Sequence, residues 1–485
     1  MATLSYDEAA HLLRRMGFGG PPEEIEALSA RGREGAVDYL IAYRQIDNRP
    51  MEDQLQHGFN FSDPNDVSKF NRSEMQRWWF ARMVTTSRVF EEKMTLFWHN
   101  HFATATSKVP DIFMYVQNLK LRQNALARFD DLLLLVAQDP AMLIWLDGLT
   151  NVAGKPNENF ARELQELFTM GIRDVVTGEP NYSEADVKEV ARAFTGWKVF
   201  HPRDSADPYD FQFIVNPPEH DNTAKTVYAG TPYQASGNFD GTDVIALICA
   251  RRATARFLVA KLFKFFVYPL SDSAADRATV EKFADVYFSS NHSIKELVRA
   301  IFTSDEFFSD RARFALVKQP VELIVGGIRM LGAEYLFGTA AYQDQANLPA
   351  FLSIFLGQDL FNPPDVAGWR LGLDWINTST LLNRFTFANV LATNRQAFTN
   401  QAGIYLQLFQ LQQLTGKKSK KIVQAFLSRL GPLSVDTATT RALIDYLEKD
   451  DAGNAVGFRR SDPLIDKKIR GLIHLIMCLS EFQLN

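Results

Sequence analysis

The sequence predicts a mainly α fold, a large single helical body with a small β-hairpin-like insertion around 205–235, and three observations carry that expectation. Apolar residues recur with a 3.6-residue period along most of the chain, and the period gives way to alternation between His201 and Asp243. With 46% hydrophobic residues against 22% charged ones, no long stretch has the composition of a disordered segment. The 485 residues are taken as one domain, with core motifs over 88–200, a lid-like insertion over 201–243 and a C-terminal helical half over 244–485.

The periodicity places helices at 6–16, 22–28, 73–84, 88–102, 114–139, 157–171, 183–196, 242–266, 275–288, 294–302 and 317–331. One start is well marked: Ser183 and Asp186 form a capping box, with Tyr182 and Val187 placed as its hydrophobic staple. Short strands are expected at 209–215 and 226–229, joined through the Pro-rich turn 216–222 as a hairpin-like excursion. The Pro-, Gly- and aromatic-rich segment 359–369 predicts an ordered loop packed on the core. The segment 400–462 is plainer, helical in part, with a polar turn at 449–454.

Charge and composition narrow the function. A net charge of −5 creates no field to gather nucleic acid, and the one basic run is Lys417-Lys418-Ser419-Lys420-Lys421. Two cysteines, Cys249 and Cys478, exclude a disulfide framework and a cysteine-ligated metal by number. The apolar runs 132–137 and 141–146 are broken by Gln138-Asp139-Pro140, far short of the roughly 20 residues a membrane span needs. The first residues show no charged segment followed by an apolar one, which predicts a cytoplasmic protein, or a periplasmic or extracellular one whose leader has been removed. No nucleophile elbow, phosphate-binding loop, dinucleotide fingerprint or His-Glu-x-x-His occurs.

The richest chemistry lies in 157–167. On a helix, Asn159, Glu163 and Glu166 stand at i, i+4 and i+7 and share a face, while Phe160, Leu164, Leu167 and Phe168 anchor the other. Two neighbouring carboxylates repel unless a metal ion, a shared proton or an arginine stands between them, and Arg162 is the nearest arginine. His99 and His101 flank Asn100. On a continuous helix they point about 200° apart, so both enter one site only if the helix unwinds, and a core histidine is the competing reading for His101. His220-Asp221 offers one imidazole and one carboxylate on a loop, or a turn held by an Asp side chain accepting backbone N–H bonds. Asp186 and Glu189, beside Lys188 and Arg192, suggest a solvated face of ion pairs.

Several of these stretches carry a family resemblance. The segments Leu12 to Gly19, Lys93 to Phe102, Asp139 to Leu143, Pro156 to Leu164, Asp186 to Trp197, His220-Asp221, Lys261-Leu262, Pro320 to Leu323, Pro363 to Trp369 and Trp375-Ile376-Asn377 occur in the order of the bacterial family called domain of unknown function 1800, which the chain resembles over nearly its whole length. The resemblance implies export for many members. Genes of similar proteins often neighbour those of another uncharacterised family, similar to sulfatases and alkaline phosphatases, which makes such a neighbour the candidate partner.

Two readings compete. In the first, the protein is a divalent-metal-dependent hydrolase or oxidoreductase. His99, His101, Glu163 and Glu166 hold zinc, iron or manganese, and Glu163, Glu166, His220 and Asp221 are the catalytic candidates. Asn159, Arg162, Trp98 and Trp197 then contact the bound cofactor. In the second, it is a non-catalytic scaffold or partner protein, and Arg162, Glu163 and Glu166 form a structural ion-pair network. A haem with an axial histidine is a third possibility, predicting a coloured protein.

Overall fold

Capping boxes open helices at Ser5 and Ser183. Ser5 accepts the Glu8 N–H while Glu8 bonds back to Ser5, starting Tyr6–Met16, and Ser183 with Asp186 does the same for Glu184–Ala193. The computed structural model describes residues 3–49, 51–52, 55, 71–202, 210–332, 342–393, 418–450, 452–455 and 465–485. Tyr209, Asp451, residues 400–417, Lys417 among them, and residues 456–462 therefore lie outside the described residues. The architecture is mainly α with two small antiparallel ribbons. The expected helices appear as Pro22–Ser29, Arg72–Thr85, Val89–His101, Ala274–Ser289, Ile294–Thr303 and Pro320–Met330. Among the described residues no helix is long and apolar enough to cross a membrane.

Two long helices are each divided. The 114–139 stretch is Asp111–Gln123 followed by Phe129–Ala137, because the intervening backbone bonds to a distant turn: Phe129 N–H donates to His292 O at 2.9 Å and Ile294 N–H to Ala127 O at 3.1 Å. The 242–266 stretch is Gly241–Cys249 followed by Arg252–Phe266. At that break Thr254 Oγ1 donates to Ile248 O at 2.6 Å, and Arg251 leaves the helix line to donate to Asn181 O at 2.8 Å. In both cases the apolar period runs on across the break, so periodicity alone does not locate it.

The two expected strands form, but not with each other. β1 (Trp197–Phe200) pairs with β2 (Gln212–Val215), Trp197 opposite Val215, and β3 (Lys225–Val227) pairs with β4 (Ala235–Gly237), Lys225 opposite Gly237. The turn expected to join them holds a short 3-10 segment, Pro217–Glu219, and Asn216 N–H bonds back to Gly196 O at 2.7 Å.

The Val89–His101 helix is the axis of the core, buried at every position except Asn100. A helix enclosed on all sides has no wet face for its charges, so they pair internally. The fully buried Glu92 accepts from Trp79 Nε1 at 2.8 Å and from Arg122 Nε and Nη2 at 2.8 and 2.9 Å, and from Arg82 Nε. These cations overcome the effect of burial and hold its carboxyl down at about 2. Lys93 pairs with Glu322 of the Pro320–Met330 helix, which also accepts from Gln319 N–H and Asn485 Nδ2.

Candidate active site

The stretch predicted as one helix over 157–171 is α-helical over Glu158–Glu163 and widens to a π-helix over Leu164–Thr169. Side chains account for the change. Gln165 Nε2 donates to Ala161 O at 3.0 Å and Thr169 Oγ1 to Leu164 O at 2.6 Å, so two carbonyls of the ladder are engaged from the side. Met170 N–H then reaches back five residues to Gln165 O, and Gly171 ends the segment at φ +75°. Such widened turns concentrate at functional sites.

Glu163 and Glu166 stand at this turn. Burial raises the Glu163 carboxyl, and the charges of Glu166 and Asp365 push it further. Glu166 accepts from Tyr182 Oη at 3.1 Å, and burial together with that carboxylate raises the phenol. Arg162 turns away, bonding Glu184 through both terminal nitrogens at 2.8 Å and Glu158 at 3.4 Å. Among the described residues Arg162 thus makes no hydrogen bond or ion pair with Glu163 or Glu166, because exposed Glu184 of the next helix offers a bidentate partner, and the Arg162 charge only partly offsets the rise at Glu163. Asn159 likewise leaves the acidic pair, donating to Asp147 Oδ2 at 3.3 Å.

The His99-Asn100-His101 triplet lies within a continuous helix, and each side chain holds a different piece of backbone. His99 Nε2 accepts the Phe361 N–H at 3.1 Å, its ring enclosed by Trp79, Phe361 and Trp369. Asn100 Oδ1 accepts the Trp369 N–H at 2.7 Å while its Nδ2 donates to Trp369 O at 3.3 Å. His101 Nε2–H donates to Phe168 O of the π-helix at 3.0 Å, which leaves Nδ1 as an unprotonated nitrogen, buried and without a partner among the described residues. Burial pushes both imidazoles down to about 3, with the nearby Lys261 ammonium adding to the effect at His101.

The structure does not gather His99, His101, Glu163 and Glu166 into one coordination sphere: among the described residues no group of three or more His, Cys, Asp and Glu side chains is placed to hold a metal ion. His220 and Asp221 belong to the insertion and tie it to the end of Glu184–Ala193. His220 Nδ1–H donates to Thr195 O at 2.8 Å, and Asp221 accepts from Arg192 Nε at 2.8 Å and Thr223 N–H at 2.9 Å. Arg192 and Thr223 hold the Asp221 carboxyl well below the usual range. Asp186 is not on a solvated face: it is buried, capping its helix and accepting the Tyr228 N–H. Trp98 donates to Ala125 O at 2.9 Å inside the core, and Trp197 packs between Phe194 and Phe213.

What these anchors build is a cavity of about 630 Å³, within the range of small-molecule sites. Phe97, Asn100 and His101 form one wall, Phe257, Lys261, Lys264 and Phe265 of Arg252–Phe266 a second, and the loop 364–375 the third, with Asp365, Trp369, Arg370, Asp374 and Trp375. Lys261 is its most unusual group. Burial, with Lys264 adding to it, lowers the ammonium to about 8, and Nζ lies 5.2 Å from the centre of the Phe257 ring. Among the described residues Lys261 has no hydrogen bond or ion pair. Spacing singles out no residue of this wall, yet a signal exists: Lys261 stands four residues from both Phe257 and Phe265, a lysine set into an aromatic stripe.

The loop wall is held under tension. Phe361 sits at φ +64°, a conformation rare for a bulky residue, with its N–H on His99 and its carbonyl accepting from Thr106 N–H at 2.9 Å. Gly368, at φ +78°, lies so close to Asn100 that a Cβ there would stand 2.3 Å from Oδ1 and 2.4 Å from the backbone oxygen. Gly368→Ala is expected to expel the loop from Asn100 and open the cavity. Limited proteolysis cutting within 361–375 faster than in wild type checks this, and an unchanged cutting pattern would refute it.

Comparison with known proteins completes the picture. A family model described as protein of unknown function (DUF1800) matches residues 11–484, which takes in all three walls of the cavity. Neither the curated proteins nor the solved structures include a match. With so nearly complete a match, the chain belongs to the DUF1800 family.

Proposed function

We propose that this protein is an enzyme acting on a small molecule that carries an anionic group on an apolar or aromatic body, with the Lys261 cavity as its active centre. The observation that carries the reading is convergence. Stretches far apart in the chain, 97–101, 257–265 and 364–375, meet around one ammonium that has neither counter-ion nor hydrogen bond among the described residues. Aromatic walls favour an apolar body, and Lys261, Lys264 and Arg370 outnumber Asp365 and Asp374. A perturbed amine in a cleft is a functional-site candidate on physical grounds.

The divalent-metal reading draws support from the mutual repulsion of Glu163, Glu166 and Asp365. It requires His99 to release the Phe361 N–H that its Nε2 now accepts, whereas His101 could offer its free Nδ1 with the Phe168 bond intact. The Lys261 centre requires no such rearrangement, and so is the better supported.

Thermal stabilisation by 3-phenyllactate tests the proposal. Wild-type protein is expected to melt several degrees higher at millimolar ligand, with the shift lost in Lys261→Met. Equal shifts in the two proteins would overturn it. Elemental analysis tests the metal reading separately: stoichiometric zinc, iron or manganese, lost in Glu163→Gln and Glu166→Gln, would move the active centre to the acidic pair.

A further inference from the structure

We propose that Lys261 is an imine-forming amine and that the carbonyl compound it takes is of the α-keto acid class. The inference rests on the reading of the cavity as a small-molecule site and adds to it the covalent step. An amine becomes a nucleophile when its positive charge is poorly supported, by an apolar environment and by cationic neighbours. Both conditions are met here. Lys261 is flanked on its own helix by Phe257, Phe265 and Lys264. Across the cavity it faces His101, whose ring is neutral, and the loop that carries Arg370, Asp365 and Asp374. The two aspartates are exposed, and neither bonds to the amine.

The same arrangement selects the substrate. Lys264 and Arg370 are exposed cations bordering the cavity and are suited to a carboxylate, while Lys261 lies further in, where the adjoining carbonyl carbon of an α-keto acid would come. The unprotonated Lys261 nitrogen attacks that carbon and forms a C–N bond as the carbonyl electron pair moves to oxygen. The ammonium proton passes to that oxygen to give a carbinolamine. The hydroxyl then takes a proton from solvent and leaves as water while the nitrogen lone pair forms the C=N bond, and the iminium nitrogen returns its N–H proton to solvent. The balance is amine plus ketone to imine plus water, with no oxidant or reductant. His101 acts as a positioning residue: its bond to Phe168 O fixes a ring that cannot add a second positive charge beside Lys261.

At pH 7.5 an amine titrating at about 8 is unprotonated on the order of a hundredfold more often than an ordinary lysine near 10.4. Wild-type protein is therefore incubated at that pH with phenylpyruvate and sodium cyanoborohydride, and the reduced adduct is located by peptide mass spectrometry. The expected result is a single adduct on Lys261, forming at least tenfold faster than on Lys264 or any other lysine, and absent in Lys261→Arg. Adducts spread evenly over the lysines would overturn the inference. Stabilisation of wild type by phenyllactate without an adduct on Lys261 would overturn the imine step and leave the binding reading standing. Absence of both would bring down the binding reading and the imine step with it.

Discussion

Replacing Glu92 by alanine is expected to cost about 3–5 kcal/mol of stability, the range for stranding buried charge by removal of one partner. Glu92 is fully buried and receives bonds from Arg82, Arg122 and Trp79. Its loss leaves two guanidinium groups inside the protein with most of their hydration gone. Of the two, Arg82 retains among the described residues the partly exposed Glu52 and the more distant Glu91 as acidic partners. Glu92→Gln keeps the shape and one acceptor oxygen but not the charge, so an intermediate loss is expected. The urea midpoint of each variant measures the effect. By contrast, Glu184→Ala, which removes the exposed partner of Arg162, is expected to leave the midpoint in place. An Ala variant at position 92 as stable as wild type would show that the cluster is not held by its charges.

Stability is also expected to fall as the pH drops below about 6.5, through His99 and His101. In the folded protein both titrate at about 3, whereas an unfolded histidine titrates near 6.5. Between those values the unfolded chain binds protons that the native state refuses, so the unfolding free energy decreases with falling pH. Each histidine contributes a slope of about 1.4 kcal/mol per pH unit. Their contribution is complete above pH 6.5 and is withdrawn progressively down to about 3. Glu91, Asp139 and Glu163, whose carboxyls are raised by burial, act in the opposite sense, so the difference between wild type and a histidine variant isolates the effect. His99→Gln, in which the amide oxygen can still accept from Phe361 N–H, should lower stability at pH 7 yet flatten the decline between pH 6.5 and 4.5 by about one histidine's share. Parallel urea-midpoint profiles for variant and wild type would refute this assignment.

How much of this was legible beforehand depended on which force set each feature. The start of Glu184–Ala193 could be placed from Ser183 and Asp186, and Tyr6–Met16 from its apolar stripe, because capping and amphipathicity act locally. The breaks after Gln123 and Cys249 could not, since distant backbone at His292 takes a hydrogen bond at the first, and side chains of Thr254 and Arg251 bond Ile248 O and Asn181 O at the second. The acidic pair at Glu163 and Glu166 was visible as spacing, but the π-turn beneath it depends on Gln165 and Thr169 bonding sideways, which no period reveals. His99 and His101 drew notice as metal ligands because imidazole is rare here. Their actual surroundings are aromatic rings and peptide groups contributed from positions 168 and 361. Lys261 shows the converse: an ordinary residue in an ordinary helix becomes unusual only when the loop 364–375 folds over it.

Because His99 and Asn100 are adjacent, the chain between Phe361 and Trp369 is pinned at both ends to a single helical turn. An added residue in that span would have to be absorbed between two fixed points, whereas nothing lies within 4 Å of the point a Cβ would occupy at Gly372, whose φ of +80° nonetheless favours glycine. A changed side chain on the outer rim beyond Arg370 is therefore expected to alter which molecule enters while both pins stay in place.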